Sequence, residues 1–132
     1  MEYETDPQQT GIGKTVLVAD DSVVIRRALV GAFLSDGFKT CIGAKDGKEA
    51  VDAAKKNKLD LIILDLSMPV MNGLQAAIEL RKLLPRIPII LFTLYAEGLL
   101  EKEATNAGIN LVLEKSMPIA TLIDSAHKLM AN

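Results

Sequence analysis

Tryptophan is absent from this 132-residue chain, and three Phe and two Tyr are its whole aromatic content. Any core must therefore be aliphatic, and hydrophobic residues at 49% supply the material for one. The length fits one domain, which at this size buries roughly two-thirds of the surface of the unfolded chain. A single cysteine, Cys41, excludes an intramolecular disulfide and fits a reducing compartment. It sits in an apolar segment and reads as a core residue rather than a reactive one. A single histidine, His127, leaves histidine metal triads and Ser-His-Asp catalysis without support. It reads as a solvated position of the last helix. No apolar run approaches the ~18 residues that span a bilayer, and the N-terminus has no basic, apolar and cleavable signal pattern. The expectation is a cytoplasmic protein without membrane association.

Concentrated charge is missing as well. The formal net charge is −2, and Glu2, Glu4 and Asp6 against Lys14 account for all of it. The neutral remainder offers no basic face for a phosphate backbone, which argues against direct nucleic-acid binding. Lys55, Lys56 and Lys58 form the only basic run. They fall where a helix should end and complement its dipole. Gly13-Lys14-Thr15 looks like the end of a phosphate-binding loop, but Gln8 stands where its first glycine belongs, and a strand rather than a helix follows.

What is present is an alternation. Residues 1–13 are polar and read as a disordered lead-in, leaving 14–132 as the folded domain. Apolar runs at 15–19, 39–44, 59–64, 87–92 and 109–113 are mostly rich in Val, Ile and Leu with little polar alternation, as strands buried on both faces are. Helical patterns lie between them. Ile25, Leu29, Ala32 and Phe33 mark the first, ended by Gly37. Ala50, Val51 and Ala54 follow Gly47, and Ala77, Leu80 and Leu84 precede Pro85. Leu100, Ala104 and Ala107 end at Gly108, and a last stripe runs from Ile119 to Met130 behind Pro118. Strand–helix alternation of this kind implies right-handed crossovers and an α/β, doubly wound, five-stranded parallel sheet.

In such a sheet ligands bind beyond the carboxyl ends of the strands. Asp20 and Asp21 follow the first apolar run, Asp65 the third and Thr93 the fourth, and Lys115 comes one residue after the fifth. Each has an ordinary reading when taken alone. Asp20 or Asp21 could cap a helix, Thr93 could bond its own backbone, and Lys115 could be a surface lysine. Together they converge on one edge. Two carboxylates ~4 Å apart repel by about 4 kcal/mol at an effective dielectric near 20. One lysine cannot neutralise three carboxylates, so either a pKa rises or a cation binds. A hard divalent cation such as Mg²⁺ resolves the conflict. Asp65 then becomes a nucleophile toward phosphorus, with Lys115 and Thr93 as donors to the developing charge.

The run Asp65-Leu66-Ser67-Met68-Pro69-Val70-Met71-Asn72-Gly73 is similar to the phosphoacceptor loop of response-regulator receiver domains. Val16-Leu17-Val18-Ala19-Asp20-Asp21-Ser22 and Ala44-Lys45-Asp46-Gly47-Lys48-Glu49-Ala50 support it. Over nearly all of 14–132 the chain resembles that family, particularly its small stand-alone chemotaxis type. The resemblance implies a flavodoxin-like sheet of order 2-1-3-4-5 and a switch rather than an enzyme. It implies that Asp65 accepts a phosphoryl group from the phosphohistidine of a histidine kinase or phosphotransfer protein. Mg²⁺ would be held by Asp21, Asp65 and the Ser67 main-chain carbonyl, with Asp20 assisting through water. Thr93 would swing toward the phosphoryl group and Lys115 would contact it. Ser67 and Tyr95 would flank the hydrolytic water and influence the phosphate's lifetime. The switched surface, the fourth helix, fifth strand and fifth helix, would engage a downstream protein, with the chain a monomer or a phosphorylation-linked dimer.

Three positions depart from the family pattern. Leu94 replaces a small residue beside the site, Val112 replaces the switch aromatic, and Ser116 replaces the proline after the lysine. Leu94 and Val112 motivate an alternative, a pseudo-receiver that binds partners without phosphorylation. A flavin or other small anionic ligand on the same topology is disfavoured by the acidic cleft. With the sequence ending after the fifth helix, the chain is expected to act on another protein or to be a piece of a larger regulator.

Overall fold

The computed structural model describes residues 13–94, 96, 99 and 101–131. Strands β1 (Thr15–Ala19), β2 (Thr40–Ala44), β3 (Leu61–Leu64), β4 (Ile89–Thr93) and β5 (Leu111–Glu114) alternate with five helices. These are α1 (Val23–Ser35), α2 (Gly47–Lys56), α3 (Gly73–Leu83), α4 (Glu101–Asn106) and α5 (Ile119–Ala131). The strands form one sheet in the order β2-β1-β3-β4-β5, and every pairing is parallel. The expected architecture and strand order are both observed. Most of the expected lead-in lies outside the described residues. No helix among the described residues is long and apolar enough to cross a membrane.

Side-chain alternation divides the core into two layers. Leu17, Ile62, Leu64 and Leu91 pack with Ala50, Ala77 and Leu80 on the α2–α3–α4 face. Val16, Val18, Ile63 and Phe92 pack with Leu29, Phe33 and Leu122 on the α1–α5 face. A strand residue buried on either face needs an apolar side chain, so β1, β3 and β4 carry no polar alternation. The edge strands differ: β2 and β5 are largely half-buried or exposed.

The glycine stop signals work through one motif. Gly37 has φ 106° and Gly108 has φ 85°, the left-handed region in which a Cβ is costly. After α1, the Phe38 amide donates to Phe33 and the Gly37 amide to Leu34, both at 3.1 Å. After α4, the Ile109 amide donates to Ala104 and the Gly108 amide to Thr105, both at 3.0 Å. Both are Schellman closures. Phe38 completes the first by packing edge-on against Phe33, ring centroids 5.0 Å apart.

Every strand after β1 starts later than its apolar run, and at β4 and β5 the reasons lie in the backbone. The apolar run at 87–92 begins as a strand only at Ile89, after Pro88, which has no amide to give. At its other end Thr93 is the last residue of β4, paired with Glu114, rather than the residue after it. The run at 109–113 starts late because Asn110 is in the turn, where its side chain accepts the Ile89 amide at 2.8 Å. β5 then extends to Glu114, so Lys115 follows it directly. Leu100, expected in the fourth helix, lies outside the described residues.

Candidate functional site

The register of the sheet assembles the site. Ala19 pairs with Leu64, so the next residues of β1 and β3, Asp20 and Asp65, leave the sheet side by side. The ladder continues one bond further at each strand end. The Asp65 amide donates to Ala19 at 2.9 Å, the Asp20 amide to Ala44 at 3.0 Å, and the Lys115 amide to Thr93 at 3.0 Å. Adjacent strands lie ~4.8 Å apart, so the three side chains have little room to avoid one another.

Among the described residues, Asp20, Asp21, Asp65, Ser67, Thr93 and Lys115 lie together at this edge. One oxygen each from Asp20, Asp21 and Asp65 lies within 4.8 Å of the others. Asp20, Asp65 and Thr93 are buried, Asp21 and Ser67 are exposed. The Lys115 ammonium bridges the buried carboxylates, 2.7 Å from Asp20 Oδ2 and 3.1 Å from Asp65 Oδ2. Asp20, Asp21, Asp65, Ser67, Leu94 and Lys115 line an open cleft of about 330 Å³. A second groove, about 420 Å³, lies between α4 and β5 and includes Leu99, Ala104 and Val112. It holds no comparable cluster of titratable groups, so the chemistry belongs to the acidic cleft.

Electrostatics single out Asp65. Burial pushes its carboxyl above the ordinary 3.8, and the Lys115 charge and hydrogen bond, with a hydrogen bond from Thr93, do not fully offset that. Asp20 adds like-charge repulsion in the same direction. Burial pulls the Lys115 ammonium down, but the hydrogen bonds and charges of Asp20 and Asp65 together outweigh it and raise it. Asp65 Oδ1 is buried and lacks a hydrogen-bond partner. An orphaned oxygen inside a set of three carboxylates fits a hard cation with oxygen ligands.

Neither of the two acidic residues that follow β1 serves as a helix cap. Ser22 caps α1, its Oγ accepting the Ile25 amide at 3.3 Å, while Asp20 Oδ1 accepts the Ser22 amide at 2.9 Å. Asp21 is left facing the cleft mouth. The loop from Asp65 to α3 is held by close backbone approach. The Gly73 amide donates to Leu66 at 2.9 Å, and a Cβ on Gly73 would come within 2.2 Å of the Asp65 carbonyl oxygen. Asn72 and Gln75 then close a capping box on α3.

Some residues escaped the sequence reading. Arg26 Nη1 donates to the Asp20 carbonyl at 2.6 Å. Its only trace in the sequence is a cation beside the apolar stripe of α1. His127, expected to be solvated, is instead 12% exposed, with Nε2 2.8 Å from Asp36 Oδ2. Its ring is tilted against Phe38 at 6.3 Å. The cause is tertiary: α1 and α5 cover the same face, which brings the C-cap of one onto the last turns of the other. Tyr95 lies outside the described residues. Among those described, no cis peptide bond occurs, at Ser116 or elsewhere.

Comparison with known proteins agrees with this geometry. A family model described as the response regulator receiver domain matches residues 16–127. The chemotaxis protein CheY of Thermotoga maritima is 30% identical over 89% of this chain and 98% of that protein. The transcriptional regulatory protein PdtaR of Mycobacterium tuberculosis is 34% identical over 90% of this chain, which spans only 58% of that relative. Among solved structures, response regulator protein TrrA from Thermotoga maritima, in complex with Mg(2+)-BeF, superposes with a TM-score of 0.80 at 32% identity, over 88% of this chain and 98% of that one. With its strand order, its acidic strand ends and these relatives in agreement, the chain belongs to the response regulator receiver domain family of two-component signalling.

Proposed function

We propose that the chain is a phosphorylation switch in which Asp65 takes a phosphoryl group from a phosphohistidine of a histidine kinase or phosphotransfer protein. The observation that carries this is the state of Asp65: buried, raised by desolvation, and with one oxygen unpartnered beside two further carboxylates. A bond forms between an Asp65 oxygen and phosphorus as the donor's N–P bond breaks, and the imidazole leaves with the electron pair. Lys115 and Thr93 stand at the strand ends where charge collects on the transferred group. Asp21, Asp65 and the Ser67 main-chain carbonyl would hold Mg²⁺, with Asp20 assisting through water. When bound, the ion supplies charge neutralisation at the phosphoryl oxygens. The complex of TrrA with Mg(2+)-BeF supports that assignment by likeness.

Asp65 lies at the floor of the cleft, so a protein donor must cover its rim. Leu94, which lines the cleft and is 64% exposed, provides an apolar contact for such a partner. Readout through α4, β5 and α5 must proceed without an aromatic at position 112. Val112 also favours a second reading, a binding-only interaction module that keeps the fold and the acidic pocket.

Intact-protein mass after incubation with a small phosphodonor separates the two readings. A Mg²⁺-dependent gain of one phosphoryl mass, absent in Asp65→Asn, is expected. No gain in a folded, Mg²⁺-binding protein would shift the conclusion to the binding-only module.

A further inference from the structure

We infer that Arg26 is a positioning residue for the acidic pair, fixing the Asp20–Asp21 backbone from behind so that Asp21 presents its carboxylate to a cation. The inference rests on the reading of the cleft as a divalent-cation site and adds a residue to it.

Asp20 is held on every polar atom it has. Its amide donates to Ala44, its carbonyl accepts Arg26 Nη1 at 2.6 Å, Oδ1 accepts the Ser22 amide, and Oδ2 meets Lys115. Asp21 is the opposite case: it is exposed and makes no hydrogen bond or ion pair among the described residues. Its placement therefore depends on the peptide that joins it to Asp20. The carbonyl of that peptide is the atom Arg26 grips. Without the guanidinium, a buried carbonyl would lose its donor and the peptide plane could rotate, carrying Asp21 with it.

The neighbouring strand is cut to fit. The stem of Arg26 lies over Gly43 of β2, where a Cβ would stand 3.3 Å from Arg26 Cδ. Val18 pairs with Gly43 and Ala19 with Ala44, so the glycine sits one residue before the carbonyl that holds the Asp20 amide. Arg26 thus reaches the end of β1 across the one position of β2 that has no side chain.

Charge and position make opposite predictions. As a bare positive charge near the cleft, Arg26 would repel a cation, and its removal would tighten Mg²⁺ binding. As a positioning group, its removal weakens binding, and groups behind metal ligands typically alter affinity about tenfold or more. The test is calorimetric titration of Mg²⁺ alone into wild type, Arg26→Ala, Arg26→Lys and Gly43→Val, each with a thermal melt. Arg26→Ala is expected to bind about tenfold more weakly, and Arg26→Lys, which can still donate to the carbonyl, to recover part of the loss. Gly43→Val keeps the arginine but displaces its stem, and valine favours a strand. It should weaken Mg²⁺ binding without lowering the melting temperature, so the test survives a poorly folded Arg26→Ala. Folded variants that bind Mg²⁺ as tightly as wild type, or more tightly, would overturn the inference alone. A folded wild type that does not bind Mg²⁺ would overturn the reading of the site and this inference with it.

Discussion

At Gly73 a single hydrogen replaces what would be an atom 2.2 Å from the Asp65 carbonyl oxygen and 2.9 Å from Leu66 Cα. Both neighbours are backbone, so neither can rotate away. Gly73→Ala must therefore displace the loop that carries Asp65, at a cost of about 1–3 kcal/mol for overpacking. A lowered urea midpoint together with slowed acceptance of phosphoryl groups is the expected result, and an unchanged midpoint would contradict the geometry. Cys41 gives a second residue-scale expectation. Burial pushes its thiol from an ordinary 9.0 up to about 12. The folded state then keeps a proton that the unfolded chain loses, so this residue's contribution is complete below pH 9 and lost as pH rises toward 12. Urea midpoints of wild type should fall faster than those of Cys41→Ala between pH 9 and 11, and parallel curves would refute this. At this scale the sequence was readable where a polar residue interrupts an apolar run, as Asp20, Asp65 and Thr93 do. It was silent on Arg26 and His127, whose roles depend on which helices share a face of the sheet.

Between elements, the connection least visible in the sequence is Arg81. From α3 its guanidinium donates to the carbonyls of Leu84 at 3.0 Å, Ile87 at 2.8 Å and Gly108 at 3.1 Å, and to Asn110 Oδ1 at 2.9 Å. It joins the end of α3, the approach to β4 and the turn before β5. Partial burial holds its guanidinium below the usual range. Arg81→Ala would strand several carbonyls and should cost about 2–3 kcal/mol, measured as a lower denaturation midpoint. A change under about 0.5 kcal/mol would mean that water replaces it freely. Periodicity and glycine stops revealed the helices and strands. The arginine clamp joins residues 27 positions apart, Arg81 and Gly108, and no local pattern encodes that distance.

For the molecule as a whole, the acidic cleft sets two buried carboxylates against one lysine at the edge of an apolar core. Ordinary folding would not place Asp20 and Asp65 side by side with one lysine between them, and two apolar layers offset that conflict. Asp65→Asn removes a carboxyl whose ionised form burial disfavours, so without added cation the variant should melt above wild type. A cation bound only by the folded state adds about 2.7 kcal/mol at a hundred times its dissociation constant, on the order of 10 °C for a domain of this length. Wild type should show that rise with Mg²⁺, while Asp65→Asn should lose most of it and Asp21→Asn a large part. The melting curves would then cross, with the variant ahead without Mg²⁺ and wild type ahead with it. Curves that stay in one order at every Mg²⁺ concentration would show that the repulsion is relieved within the protein, by Lys115 alone.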